Sequence, residues 1–535
     1  LTLLEPQNGR LAAGEATCFG LALKTGEFVR IVGEVDAGYL RVRVLEPRRR
    51  MPIMVTWLWS IFYSLPLAFE APASGLYVVE LRVPAAAADF LRTQTRTGVS
   101  TFNVQIDEWL SAGAKAARKE DLRRDPRTTW LRQHAVAIRS IEPNDENFSD
   151  LEYLRELWSG VRVVLLGEGD HGVGSDFKAK TRLIKFLHRE MGFDVLAFES
   201  GLFAMSEAWR ALQTDMNPQE AFAKGAAGIW ARSEQVQPLI RYLAMSARTG
   251  HPLELTGIGP DFTGTASRQS LLPLLRELLK RSGIGGQLTD EESTQTRILA
   301  GILDGRFERE GARLPTEGEQ AELVAALRHA AEQLDRSGRE RLLWSQTLRS
   351  IAAQVGLSLN RVRDRDEKAA FVGRERQMIE NLLWLAEKYY ARRKIIVWVH
   401  TAHAMRGPQH TIAGREHGIS LGQGVWESLG EQSYTIGFTS YRGSAYWVTQ
   451  PEEQQQDIVA DAHPSFEFEE LMDAAGHRFA FVDLRSARAA GNWLGGSFIA
   501  RPIYFRPERA PWCNVLDALV FVHTQEPSQR VSLPK

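Results

Sequence analysis

The stretch VRVVLLGEGDHGVGSDFKAKTRLIKFLHREMGFDVLAFES, residues 161–200, decides the fold. It opens on a short apolar run, Val161 to Leu166, breaks at Gly167-Glu168-Gly169-Asp170-His171-Gly172, passes through a helical stretch from Ser175, and closes on a second apolar run, Phe193 to Phe198. Short apolar runs without polar alternation read as strands buried on both faces, and a helix between two of them makes a parallel unit. Leu253 to Ile258, Ile395 to Val399, Tyr434 to Phe438, Phe479 to Val482 and Ala518 to Val522 repeat the pattern. The expectation is an α/β fold: a buried central sheet with flanking helices.

Working outward, no strand signal appears between about 266 and 390. Leu271 to Leu279, Thr289 to Leu303, Glu319 to Leu334 and Lys368 to Lys388 carry a 3.6-residue apolar period, which predicts a helical insertion. Ahead of the sheet, Ser149 to Glu152 form a capping-box pattern before Leu151, Leu154 and Leu157, with Gly160 as the stop. Residues 111–148, rich in Ala, Arg and Lys at helical spacing, read as a helical linker. From Thr17 to Glu108 the apolar residues alternate with period two, as in Phe19, Leu21, Leu23 and Phe102, Val104, Ile106, with turns at Lys24-Thr25-Gly26 and Ala71 to Gly75. This predicts a small antiparallel β-sandwich. The expected domains are therefore 1–110, the linker 111–148, and 149–535 with its insertion.

Bulk properties exclude more than they identify. The chain has 535 residues, long enough for more than one core. With 65 basic and 66 acidic residues there is no electrostatic reason to expect nucleic acid, so a small molecule is the default partner. Cys18 and Cys513 are the two cysteines, too few for a disulfide framework or a Cys-based zinc site, though one long-range bridge is open. The uncharged run Met51 to Phe69 follows Arg48, Arg49 and Arg50, but Pro52 and Pro66 interrupt it, and two buried strands or an exposed apolar patch are expected rather than a membrane span. No charged-then-apolar leader follows Leu1, so any export signal is expected to be already removed or never present. The sequence gives no oligomeric state.

Catalytic groups in open α/β sheets collect beyond the carboxyl ends of strands. That rule selects Glu168 and His171 after the first strand, Glu199 after the second, and His400-Thr401-Ala402-His403 after the fourth. Imidazoles beside carboxylates supply what ester hydrolysis needs: a neutral His to take a proton from water, a carboxylate to orient it, and a cation to steady the oxyanion. No G-x-S-x-G stands in the expected strand-turn-helix context and neither Cys lies near a His in a recognisable catalytic pattern, which favours direct attack by water over an acyl-enzyme. The blander readings are that Glu168 caps the helix from Ser175 and that Glu199 faces the next helix N-terminus. Glu168-x-x-His171 with His400-x-x-His403 also offers enough ligands for zinc, in a pattern weaker than a helical H-E-x-x-H, and no metal or other cofactor is expected.

The segments LLGEGDHG (165–172), GFDVLAFES (192–200), KIIVWVHTAHAMRG (394–407) and YTIGFTS (434–440) resemble, in order and spacing, the signatures of the erythromycin esterase family, which includes succinoglycan-biosynthesis-like proteins. Weaker matches stand at GIWARSEQVQPLIRYL (228–243), RERQMIENLLWL (374–385), FAFVDLR (479–485) and NVLDALVFVHTQEPS (514–528), so the resemblance covers roughly 128–528. It implies hydrolysis of a macrocyclic lactone, macrolide resistance and no required metal. Carried over by position, it implies catalytic roles for Glu168, His171, Glu199, His400 and His403, and substrate contacts from Lys180 or Arg182 and from Arg374. Glu375 stands where the family usually has Asp, and the family's carboxylate four residues after the first His is absent, with Ser175 there and Asp176 beside it. GEFVRIVGE (26–34), SGLYVVELRV (74–83) and TFNVQIDE (101–108) resemble the pre-peptidase C-terminal type of sandwich, which implies an accessory domain of an exported bacterial enzyme. The alternatives to a lactone hydrolase are a hydrolase of another ester, including one on a polysaccharide, and a non-catalytic extracytoplasmic binding protein.

Overall fold

A computed structural model describes residues 5–531 apart from 49–50, 60–66, 89–90, 92–96, 285, 310, 336–337, 365, 451–455 and 460–465. The N-terminal part is two four-stranded antiparallel sheets. One has the order β1 (Gln7–Ala12), β8 (Val99–Leu110), β3 (Phe28–Val35), β6 (Leu67–Glu70); the other β2 (Ala16–Leu23), β7 (Gly75–Arg82), β4 (Tyr39–Leu45), β5 (Pro52–Trp59). Alternation works as the period predicts: Leu21, Val42, Val44, Tyr77, Val79, Val104 and Ile106 fill one apolar core. The uncharged run from Met51 supplies β5 and β6; its middle, 60–66, lies outside the described residues. Among the described residues no helix is long and apolar enough to cross a membrane.

The central sheet has nine strands. Its order is β12 (Glu254–Gly259), β11 (Phe193–Gly201), β13 (Lys394–His400), β10 (Val163–Glu168), β14 (Ser433–Ala445), β19 (Ala518–Gln525), β16 (Phe479–Asp483) and β9 (Val136–Ala137), with β15 (Gln456–Val459) paired to β14. The six strands from β12 to β19 run parallel. Both faces are covered, which is why these strands lack alternation: Val164 and Leu166 of β10 enter one core, Val163 and Leu165 the other. Each such buried side chain contributes ~1.5–3 kcal/mol, so the strand ends are fixed firmly enough to hold ionisable groups away from water.

With all six strands still parallel, the strand order reverses at β10. Its outgoing connection leads toward β11 and β12, whereas β14, on its other side, leads on to β19. The crevice at such a switch point, beyond the carboxyl ends, is where an open α/β sheet binds ligands. The helical insertion supplies Leu271–Arg281, Thr294–Leu303, Glu317–Leu334, Arg339–Asp364 and Glu367–Trp384, and the last of these packs on the face behind β13.

Two local expectations are corrected. Only Leu154–Leu157 is helical where the capping box predicted a helix from Leu151. Asp150 is taken by Arg182 and by the Arg139 N–H, and Glu152 by Arg155, so neither is left to close a cap at Ser149. The stretch read as a linker holds helices Ala112–Arg124 and Pro126–His134, but its end, Val136–Ala137, pairs antiparallel with β16 and becomes an edge of the central sheet. Both cysteines are free, Cys18 exposed and Cys513 buried.

Candidate active site

The sequence-selected groups on β10, β11 and β13 meet, because those three strands are neighbours in the sheet. Glu168 and His400 are register partners at the ends of β10 and β13. Close approach demands glycine at two points. A Cβ on Gly167 would stand 2.8 Å from the Thr401 Cα, and one on Gly172 would stand 2.7 Å from the Tyr446 N. Thr401 Oγ1 then ties the two motifs by donating to the carbonyls of Gly167 and Glu168 at 2.7 and 2.9 Å.

Glu168 is fully buried and does not cap the following helix. Its Oε1 lies 3.0 Å from His171 Nδ1 and accepts from Trp230 Nε1 at 3.2 Å, while its Oε2 accepts from Nζ of the buried Lys180. Lys180 also donates to the Val399 carbonyl at 3.1 Å and sits 4.3 Å over the Trp398 ring. Lys180 therefore supports Glu168 from below and does not face the opening.

The three histidines differ in what their nitrogens have left to do. His400 is fully buried; its Nε2 donates to the Gly169 carbonyl at 3.1 Å and its Nδ1 accepts from the Ala402 N–H at 2.9 Å. Burial and the neighbouring His171 and His403 hold its pKa well below the ordinary value. His403 is bound at both nitrogens by carboxylates, Nε2 to Glu199 Oε1 at 3.0 Å and Nδ1 to Glu375 Oε1. Burial alone would lower its pKa, but those two carboxylates push it up to about 10, so His403 is an imidazolium at neutral pH. His171 alone of the three has an uncommitted nitrogen. Burial lowers its pKa, against the pull of Glu199 and Asp170, so it is neutral; with Nδ1–H donated to Glu168, Nε2 carries the lone pair. Its side chain is 14% exposed, so water reaches it. Its ring centroid lies 5.0 Å from that of His400 and 5.3 Å from those of Trp230 and Trp447.

Glu199 links the groups electrically. Its Oε2 accepts the His400 N–H at 2.9 Å, and Arg374 reaches Oε1 at 3.3 Å. Burial alone would raise the Glu199 pKa, but the His403 and Arg374 cations hold it well below the ordinary carboxylate range. Arg374 also donates to Asp261 at 2.9 Å and stays partly exposed.

Of the expected substrate contacts, Arg374 is at the opening and Arg182 is not. Arg182 is buried against the 140–150 segment, donating to Asp150 at 2.6 and 2.9 Å and to the carbonyls of Ser140, Asp145 and Asn147. Asp176, at the position shifted by one, accepts the Gly169 N–H at 3.0 Å, and burial pushes its carboxyl up to about 7. Among the described residues no three His, Cys, Asp or Glu side chains are grouped to hold a metal ion.

Several neighbours escaped the sequence reading. Asp261 follows the end of β12, a strand end the same rule could have included. Trp447, which donates to Asp170 at 2.6 Å, and Tyr504, stacked on His400 at 4.3 Å, come from loops after β14 and before β19 and carry no sequence signal of their own. Phe371 lies against His403, stacked at 5.6 Å, so half-buried aromatic rings border the opening. Positive charge, a neutral base and an aromatic rim together suit an uncharged carbonyl substrate.

A family profile described as Erythromycin esterase matches residues 188–524, and the motif with Glu168 and His171 lies just ahead of that span. Among known proteins, YbfO of Bacillus subtilis (strain 168), named as a hydrolase, is 27% identical over 73% of this chain and 87% of its own length. Erythromycin esterase type II of Escherichia coli is 21% identical over 59% of this chain and 77% of its own length. A mutant of the erythromycin esterase EreC, solved in its open conformation, superposes with a TM-score of 0.54 at 18% identity, covering 74% of this chain and 98% of that one.

Proposed function

The chain belongs to the erythromycin esterase family of hydrolases, and from that premise we propose that it hydrolyses a carboxylic ester or lactone with water activated by Nε2 of His171. The observation that carries this reading is the division of labour among the histidines. His400 and His403 have both ring nitrogens engaged, whereas His171 is neutral, oriented by Glu168 and open to water.

In this mechanism Nε2 takes a proton from water as the water oxygen bonds to the carbonyl carbon. Glu168 holds the Nδ1–H and stabilises the imidazolium that forms. The oxyanion develops beside Arg374 and the His403 imidazolium. When the acyl C–O bond breaks, His171 returns the proton to the departing alkoxide, giving an acid and an alcohol, both on one molecule if the substrate is a lactone. Lys180 holds Glu168 in place through its contact with Oε2.

The test is mass spectrometry of erythromycin and a panel of alkyl and aryl esters after incubation with the purified protein. A gain of one water in at least one member is expected. A panel left wholly unchanged at high enzyme concentration contradicts the ester reading.

A further inference from the structure

We propose that Tyr504 is a catalytic residue whose phenolic O–H donates a hydrogen bond to the substrate carbonyl oxygen as it becomes an oxyanion. The inference rests on the hydrolytic reading above. Its starting point is backbone geometry. Tyr504 and Phe505, in the connection between β17 (Phe498–Ala500) and β18 (Glu508–Ala510), have φ of 51° and 55° and are the non-glycine residues with positive φ among the described residues. Two consecutive side chains in the left-handed region are disfavoured and persist where surroundings hold them, a pattern concentrated at functional sites.

The surroundings are the site itself. The Tyr504 N–H donates to the Gly169 carbonyl at 2.9 Å, the carbonyl that also receives His400 Nε2–H, and Phe505 is buried with Val173 and Ala445. The strained turn is thus fastened to the loop that carries His171. The Tyr504 ring stacks on His400 at 4.3 Å with planes 27° apart, and the His400 ring lies 5.0 Å from that of His171. Since both nitrogens of His400 are tied to backbone, that ring serves as a platform for the phenol.

Charge decides what the phenol can do there. Burial and the carboxylates of Asp170, Glu199 and Glu375 raise its pKa, and Arg374 opposes them, so it stays protonated wherever His171 is neutral. A phenol that keeps its proton steadies an oxyanion without exchanging a proton with His171. Arg374 is already held by Asp261 and Glu199, which leaves it a source of field rather than an aimed donor. No proton leaves Tyr504 in this step; the proton from water still travels through His171.

The experiment is Tyr504→Phe, which keeps the ring, the stack and the backbone. With a responsive ester, kcat should fall ~10²-fold with KM within about threefold and the melting temperature unchanged, the loss expected for one oxyanion donor. A phosphonate analogue of that ester should bind more weakly by about the factor lost in kcat/KM. Unchanged kcat, or a loss matched by a fall in melting temperature with phosphonate binding intact, overturns the inference. His171→Ala is run alongside: if it retains turnover the hydrolytic reading fails, and if it is inactive while Tyr504→Phe is fully active only the tyrosine assignment falls.

Discussion

His171 Nδ1 stands 3.0 Å from Oε1 of Glu168, and the other oxygen of that buried side chain holds Nζ of Lys180. His171, Glu168 and Lys180 form one chain, so the members can be separated by substitution.

Glu168→Gln should lower kcat by ~10²–10⁴-fold, because an amide can present its N–H to Nδ1 and favour the wrong tautomer. It should also destabilise the fold by about 3 kcal/mol by leaving Lys180 buried without its carboxylate. Glu168→Gln with Lys180→Met should recover much of the stability in a denaturant titration and none of the rate. Recovery of both would mean that Glu168 acts only as a structural anchor.

The pH profile of kcat/KM should be bell-shaped. The lowered pKa of His171 puts the acid limb below the ordinary histidine value of 6.5, since the base works only when unprotonated. The imidazolium of His403 is lost as pH rises through about 10, which sets the alkaline limb. The same raised pKa makes the stability due to His403 fully present below about 6.5 and lost as pH rises through about 10. Glu375→Gln removes one of the carboxylates that raise it and should move the alkaline limb to lower pH. An alkaline limb unmoved in that variant contradicts the assignment.

Arg182→Met should behave as a fold variant. The side chain clamps Asp150 and three carbonyls away from the site, so removing it should cost about 3 kcal/mol and leave kcat within about twofold at temperatures where the chain stays folded. A selective rise in KM would instead return Arg182 to the substrate.

Gly167→Ala should lower both stability and rate. Its Cβ would press on the Thr401 backbone, where no flexible side chain can yield, at a cost of about 1–3 kcal/mol, and would displace the strand end that carries His400. Thermal unfolding and kcat measured together give the check; a variant with an unchanged melting temperature would show that the two motifs are not in close contact.

Much of the site was legible because buried parallel strands announce themselves by uninterrupted apolar runs, and the strand-end rule then points at Glu168, Glu199 and His400. That these ends are adjacent was not legible, since β13 comes from beyond the helical insertion and inserts between β11 and β10. Which histidine has a free nitrogen depends on partners such as the Gly169 carbonyl and Glu375, distant in sequence. Lys180 and Arg182 look interchangeable in the sequence, yet residues two apart on a helix lie on different faces, one toward Glu168 and the other toward Asp150. The helix predicted from Leu151 is shortened to Leu154–Leu157, with Asp150 held by Arg139 and Arg182 from elsewhere in the chain and Glu152 by the nearby Arg155.

The most direct test of the central claim is kcat for a responsive ester with purified His171→Ala, compared with His400→Ala. His171→Ala should lose at least ~10³-fold in kcat with an unchanged melting temperature, since its side chain closes no backbone hydrogen bond, whereas His400→Ala should lose stability as well as rate. Turnover by His171→Ala within about tenfold of the unsubstituted protein would contradict the assignment of His171 as the base.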